Sequence, residues 1–148
     1  MTAKELAQRY QMAQHVENGT FTERHYTHGG TERAASGSIY YYVAPGERTE
    51  FHRIDCDEYW CYIAGEPLEV WLADESGEVS VQLLGVAENC EPLLYVRKGL
   101  IFASRSRAAE DGTFLSCITV PRFAEKGFEL FSEEQMLREI PQVRRFYE

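Results

Sequence analysis

The stretch Gly46-Glu47-Arg48-Thr49-Glu50-Phe51-His52-Arg53-Ile54-Asp55-Cys56-Asp57-Glu58-Tyr59-Trp60-Cys61-Tyr62-Ile63-Ala64-Gly65 decides how this chain is read. It sets a histidine, paired acids, a tryptophan and several tyrosines between two glycines. Side chains along a strand point to alternate faces, so His52 and Ile54 share one face. Glu58, Trp60 and Tyr62 likewise share a face of the strand that follows. Arg53 and Asp57 point the other way and read as an exterior ion pair that pins the intervening loop.

Outward from this stretch, the chain keeps one character from Phe21 to Val120. Short runs rich in Tyr, Phe, Val, Ile and Thr are separated by Gly, Pro, Asp and Ser clusters, the pattern of an all-β sandwich or barrel. The runs predict strands at Phe21–His28, Ser38–Val43, Thr49–Arg53, Asp57–Ile63, Leu68–Ala73, Glu78–Leu84, Leu93–Val96, Leu100–Ser104 and Thr113–Val120. Turn chemistry at Gly29-Gly30, Pro45-Gly46, Asp74-Glu75-Ser76-Gly77, Lys98-Gly99 and Asp111-Gly112 separates them. Both ends read as helix. Thr2-Ala3-Lys4-Glu5 is a capping box before a helix ending near Gln11 or Met12, and Ser132-Glu133-Glu134-Gln135 is a second box, with Pro141 as the stop.

A chain of 148 residues has room for one domain, since folding at that size buries roughly 70% of the surface of the unfolded chain. No repeat of fixed period and no linker divides it. With 15 Lys+Arg against 24 Asp+Glu, the net charge of −9 repels phosphate backbones and anionic lipid, which argues against nucleic-acid and membrane partners. The N-terminal residues lack the apolar run of a signal peptide, so a cytoplasmic protein is expected. Cys56, Cys61, Cys90 and Cys117 have no metal-ligand spacing and read as reduced thiols used as small hydrophobes.

Gly46, His52, Glu58 and Gly65 stand at the spacing of the first conserved motif of the cupin superfamily, Gly-x5-His-x-His-x3-Glu-x6-Gly, with Ile54 in place of the second His. Further matches make the chain resemble the fifth cupin family, a domain of unknown function. His15-Val16-Glu17-Asn18-Gly19-Thr20-Phe21-Thr22-Glu23 is similar to its opening segment. His52-Arg53, Asp57-Glu58, Trp60 and Gly65-Glu66-Pro67-Leu68 match its core, and Cys117, Pro121, Phe123 and Phe128-Glu129-Leu130 match its tail. The resemblance runs from about His15 to Pro141. It implies a double-stranded β-helix, the jelly-roll barrel, with short helices at both ends, and a homodimer.

The resemblance also implies a metal site of three His and one Glu, which this chain only half keeps. His52 and Glu58 are present, but Ile54 and Phe102 stand at the other two ligand positions. A divalent metal on His52 and Glu58 is therefore disfavoured, because non-haem iron needs at least two His and a carboxylate; His15, His25 or His28 would have to reach in. Without metal, the pair can act as buried acid and base, as in the sugar-epimerase cupins, with His52 as base and Glu58 or Asp57 orienting it. Tyr62, Tyr40 or Tyr42 is then the acid candidate. Trp60, Tyr42, Glu17 and Phe102 are expected to line the ligand pocket with His52 and Glu58, and Glu17, Asn18 and Gly19 to form its lip or a plain turn.

Three functions follow. One is a metal-independent isomerase or epimerase acting on a sugar-like or nucleotide-linked metabolite. The second is a non-catalytic small-molecule binding or sensing protein, and the third, disfavoured by the lost ligands, a metal-dependent oxygenase.

Overall fold

The computed structural model describes residues 1–29 and 33–148; Gly30 of the expected Gly29-Gly30 turn lies outside them. Eleven strands are formed among the described residues: β1 (Ala13–Gln14), β2 (Thr20–Thr27), β3 (Ser36–Val43), β4 (His52–Ile54), β5 (Asp57–Gly65), β6 (Leu68–Ala73), β7 (Val79–Leu84), β8 (Leu93–Val96), β9 (Ile101–Ser106), β10 (Thr113–Val120) and β11 (Phe128–Leu130). They build a six-stranded sheet in the order β1-β2-β3-β10-β5-β8 and a five-stranded sheet in the order β11-β4-β9-β6-β7. All strand pairs within the two sheets are antiparallel. This is the jelly roll that the turn-punctuated runs predict.

The alternation of the strands explains the closure. Tyr41, Val43, Trp60, Leu94, Val96, Leu115 and Cys117 turn inward from the six-stranded sheet. They meet Ile54, Leu68, Val70, Leu72, Leu84 and Phe102 of the other sheet in one core. The five-stranded sheet is buried on its outer face as well. There Phe51, Trp71, Ala73 and Ala103 pack under Phe131, Met136, Ile140, Val143 and Phe146, which is why β6 reads as a nearly continuous apolar run.

The covering layer comes from the C-terminus. Ser132 caps the helix α2 (Glu133–Glu139) by accepting the Gln135 N–H. Pro141 ends α-helical pairing, as expected, but opens a 3-10 turn over Pro141–Tyr147 that carries Val143 and Phe146 into the second core. At the other end, the capping box of Thr2 and Glu5 starts helix α1 (Ala3–Arg9), which stops short of Gln11 because the chain turns into β1. No helix among the described residues is long and apolar enough to cross a membrane.

Three segments depart from the sequence reading by more than a residue or two at an end. β1 and β11, two and three residues long, are too short to carry a period. Thr49–Phe51 does not join the ladder of β4. Thr49 is instead clamped to Ser104, its N–H bonding the Ser104 carbonyl at 2.8 Å and its hydroxyl accepting the Ser104 N–H at 2.8 Å. This clamp fixes the approach to His52.

Candidate functional site

One end of the barrel holds a cavity of about 500 Å³. Its walls come from β1, β2, β3, β4, β5, β10 and β11, together with the turn before β2 and the segment after β10. His52, Ile54, Glu58, Trp60, Glu17 and Tyr41 all face it. His52 and Glu58, on neighbouring segments of the opening stretch but in different sheets, therefore share one space.

His52 is 2% exposed, with each ring nitrogen committed. Nδ1 lies 2.8 Å from the Glu50 carbonyl, which can only accept, so Nδ1 carries a proton. Nε2 lies 2.8 Å from Glu17 Oε2. That approach is short but poorly aligned, since Oε2 is a buried oxygen without a hydrogen bond of good geometry. It is a close approach of ring and carboxyl that commits Nε2 to Glu17. Burial opposes the charged ring, but Glu17, by charge and hydrogen bonding, outweighs it and the pKa of His52 rises.

Glu58 is 8% exposed. The Trp60 indole N–H donates to its Oε1 at 2.7 Å. Burial and then the Glu17 charge push its pKa up to about 7, against the weaker pull of Trp60 and His52. The carboxyl thus titrates near neutrality and faces the cavity, the property a general acid or base requires. His15 closes the group from above. Its Nδ1 accepts the Glu17 N–H at 3.3 Å, so this nitrogen is unprotonated, and its 3.4 Å approach to Glu17 Oε1 is not an ion pair. Burial, opposed by Glu17 and helped by His52, lowers its pKa.

The structure places the other expected site residues as follows. The tyrosine that enters the cavity is Tyr41, whose hydroxyl donates to the Asn18 carbonyl. Burial and then Glu17 raise its pKa far above that of a free phenol. Tyr42 faces away from the cavity and donates to the Asp111 carbonyl at 2.8 Å, while Tyr40 packs against Tyr10 and Phe114. Tyr62 points inward, yet its hydroxyl is spent on the Gly65 carbonyl at 2.7 Å and it does not reach the cavity wall. Phe102 lies beneath the His52 ring, 4.1 Å between centroids, rather than on the cavity surface.

Asp57 does not orient His52. It accepts from the Tyr95 hydroxyl and the Lys98 N–H on the exterior, and Arg53 pairs with Glu129 instead of with Asp57. His25 and His28 are exposed and do not line the cavity. All four cysteines are free.

The residues present do not fit a cupin metal. Ile54 and Phe102 offer carbon where nitrogen ligands would stand, and both nitrogens of His52 are engaged. Among the described residues no group of three or more His, Cys, Asp or Glu side chains is arranged to hold a metal ion.

Two facing antiparallel sheets around a cavity at one barrel end define a cupin-type jelly roll. The family model described as Cupin superfamily (DUF985) matches residues 4–131, and the chain belongs to that family. Protein SO0799 from Shewanella oneidensis is 31% identical, with a TM-score of 0.89 over 98% of this chain and 94% of that one. A hypothetical protein from Leishmania major is 27% identical, with a TM-score of 0.84 over 96% of this chain and 94% of its own. Oxalate decarboxylase from Bacillus subtilis, at 20% identity and a TM-score of 0.62, shares the fold over 93% of this chain and 35% of that chain. No curated protein matches.

Proposed function

We propose that this cupin is a metal-independent proton-transfer enzyme of isomerase or epimerase type, acting on a small molecule held in the barrel cavity. The carrying observation is the cluster of Glu17, His52 and Glu58, three ionisable groups at least nine-tenths buried and facing one cavity. Burying such groups is costly unless they are paired or useful, and here only part of their capacity is paired. In this reading Glu58 is the group that exchanges a proton with the ligand, and Glu17 with His52 is a second proton donor and acceptor. Tyr41 is a wall residue, because its proton is already given to Asn18.

The Mn(II) centres named for Bacillus subtilis oxalate decarboxylase have no equivalent donor set in His52, Glu58, Ile54 and Phe102, so decarboxylation through a metal is not carried over. The rival reading, a binding or sensing protein, draws support from the apolar share of the wall, with Phe21, Ile39, Ile54, Trp60, Phe123 and Phe128 all facing the cavity.

The reading is tested by incubating the protein with pools of small metabolites in deuterated water. Protein-dependent incorporation of deuterium at a carbon position is expected, lost in Glu58→Gln and following an ionisation near pH 7. Binding without any exchange would replace it with the sensing reading.

A further inference from the structure

The deep end of the cavity is short of donors. Trp60 Nε1–H is given to Glu58 at 2.7 Å, His52 Nδ1–H to the Glu50 carbonyl at 2.8 Å, and the Tyr41 hydroxyl to the Asn18 carbonyl. Apart from the Nε2–H that its tautomer leaves on His15, what remains for a ligand is mainly acceptor oxygen. Glu17 Oε2 is buried, its close neighbour being the poorly aligned His52 Nε2 at 2.8 Å, on a side chain 10% exposed, and among the described residues the donor that reaches Glu58 is Trp60, at Oε1. A buried acceptor left without a donor costs roughly 1–3 kcal/mol, so a ligand that brings N–H groups regains that loss.

The rest of the lining is no better suited to an anion. Arg122, the arginine of the lining, is held by both oxygens of Glu23 at 2.7 and 2.8 Å and lies 4.2 Å from the Tyr26 ring centroid. Glu125 adds a further acid there. The walls supply the other half of a cation site, since the π-faces of Trp60, Tyr41 and the phenylalanines attract positive charge in a desolvated setting.

We propose that the ligand enters with a protonated amine or amidine foremost, placed between the carboxyl oxygens of Glu17 and Glu58 against the aromatic wall. This narrows the substrate class of the same cavity, and it excludes phosphate-bearing or carboxylate ligands from the deep end. It rests on the cavity being the ligand site, as above, but not on turnover. The groups facing Glu58 from the packed elements are Glu17, His52, Tyr41 and Cys117. Burial keeps the phenol and the thiol protonated at neutral pH, leaving the two carboxyls and the imidazole to respond to a cation.

The test uses three matched probes, benzylammonium, benzyl alcohol and benzoate, on the full chain. The two indole N–H signals are read by NMR, Trp60 in the cavity and Trp71, which donates to Glu69 outside it, as internal control. Benzylammonium at millimolar concentration is expected to move the Trp60 signal and leave Trp71 in place. Benzyl alcohol should need at least about tenfold more, and benzoate should leave both signals unmoved. Affinity for benzylammonium should rise about tenfold between about pH 6 and pH 8 as Glu58 ionises, and that dependence should shrink in Glu58→Gln to the part that His52 contributes. Benzoate or benzyl alcohol moving Trp60 as readily as benzylammonium, or no probe moving it, would overturn the proposal. The comparison on the unaltered protein stands whether or not the variant folds. Cation binding without deuterium exchange would sink the enzyme reading alone, whereas exchange on an anionic metabolite would sink this one alone.

Discussion

At the scale of single residues, Glu58 and His52 hold their protons differently than they would in water. An isolated glutamate loses its proton near pH 4.5, whereas Glu58 in the folded chain keeps it to about 7. The folded state therefore binds this proton more tightly than the unfolded state. Its stabilising effect is complete below about pH 4.5 and lost as pH rises to about 7. His52, also raised, pushes stability in the same direction through neutrality. Glu58→Gln should thus melt close to the unaltered protein at about pH 5 and higher at about pH 8, by an amount on the order of 3 kcal/mol. Thermal melts at the two pH values read this directly. Elemental analysis of protein purified without a metal-affinity tag should find no iron, manganese or nickel near one per chain, since both nitrogens of His52 are committed.

His52, Glu58 and Trp60 were legible because a two-residue period within one short stretch dictates their faces. The partner of His52 was not. Glu17 comes from a turn far upstream, and nothing in the spacing of the opening stretch connects the two; its nearest signal was its place beside Asn18 and Gly19. The acid candidates Tyr62, Tyr40 and Tyr42 do not reach the cavity for a related reason. Alternation says that one member of Tyr40-Tyr41-Tyr42 must differ in direction from its neighbours, but only the register of β3 against β10, Tyr41 opposite Leu115, says which one faces the core.

At the scale of elements, the turn between β1 and β2 is what delivers Glu17. Asn18 and Gly19 both take positive φ, 78° and 74°, so the chain reverses within two residues and Glu17 is thrown inward. A Cβ on Gly19 would strike the Tyr41 ring and hydroxyl. Gly19→Ala should therefore destabilise by about 1–3 kcal/mol, from backbone strain alone, and displace both Tyr41 and Glu17. Loss of the short Glu17 contact would show in the 15N shift of His52 Nε2, whereas the same substitution at Gly77, at a positive φ of 82° but with nothing near its Cβ, should leave that shift unchanged. The strands were legible wherever turn residues bracket them. β1 and β11 were not, because they exist only as pairings to β2 and β4 and carry no pattern of their own.

At the scale of the whole molecule, the barrel is supported from outside as well as within. Phe146 is fully buried on the outer face of the five-stranded sheet against Phe51 and Trp71. Phe51 immediately precedes His52, so this second core is one residue away from the site. Phe146→Ala should cost about 3–5 kcal/mol in chemical denaturation. Its sequence signal was faint, because Pro141 reads as the stop of the last helix and Val143 and Phe146 lie beyond it.

The central claim is that the cavity holds a carboxyl poised to exchange a proton near neutral pH beside a Glu17–His52 pair. It is tested most directly by following the side-chain carboxyl 13C signal of Glu58 across a pH titration. The account predicts a midpoint near 7; a midpoint in the ordinary carboxylate range, near the 4.5 of an isolated glutamate, would contradict it.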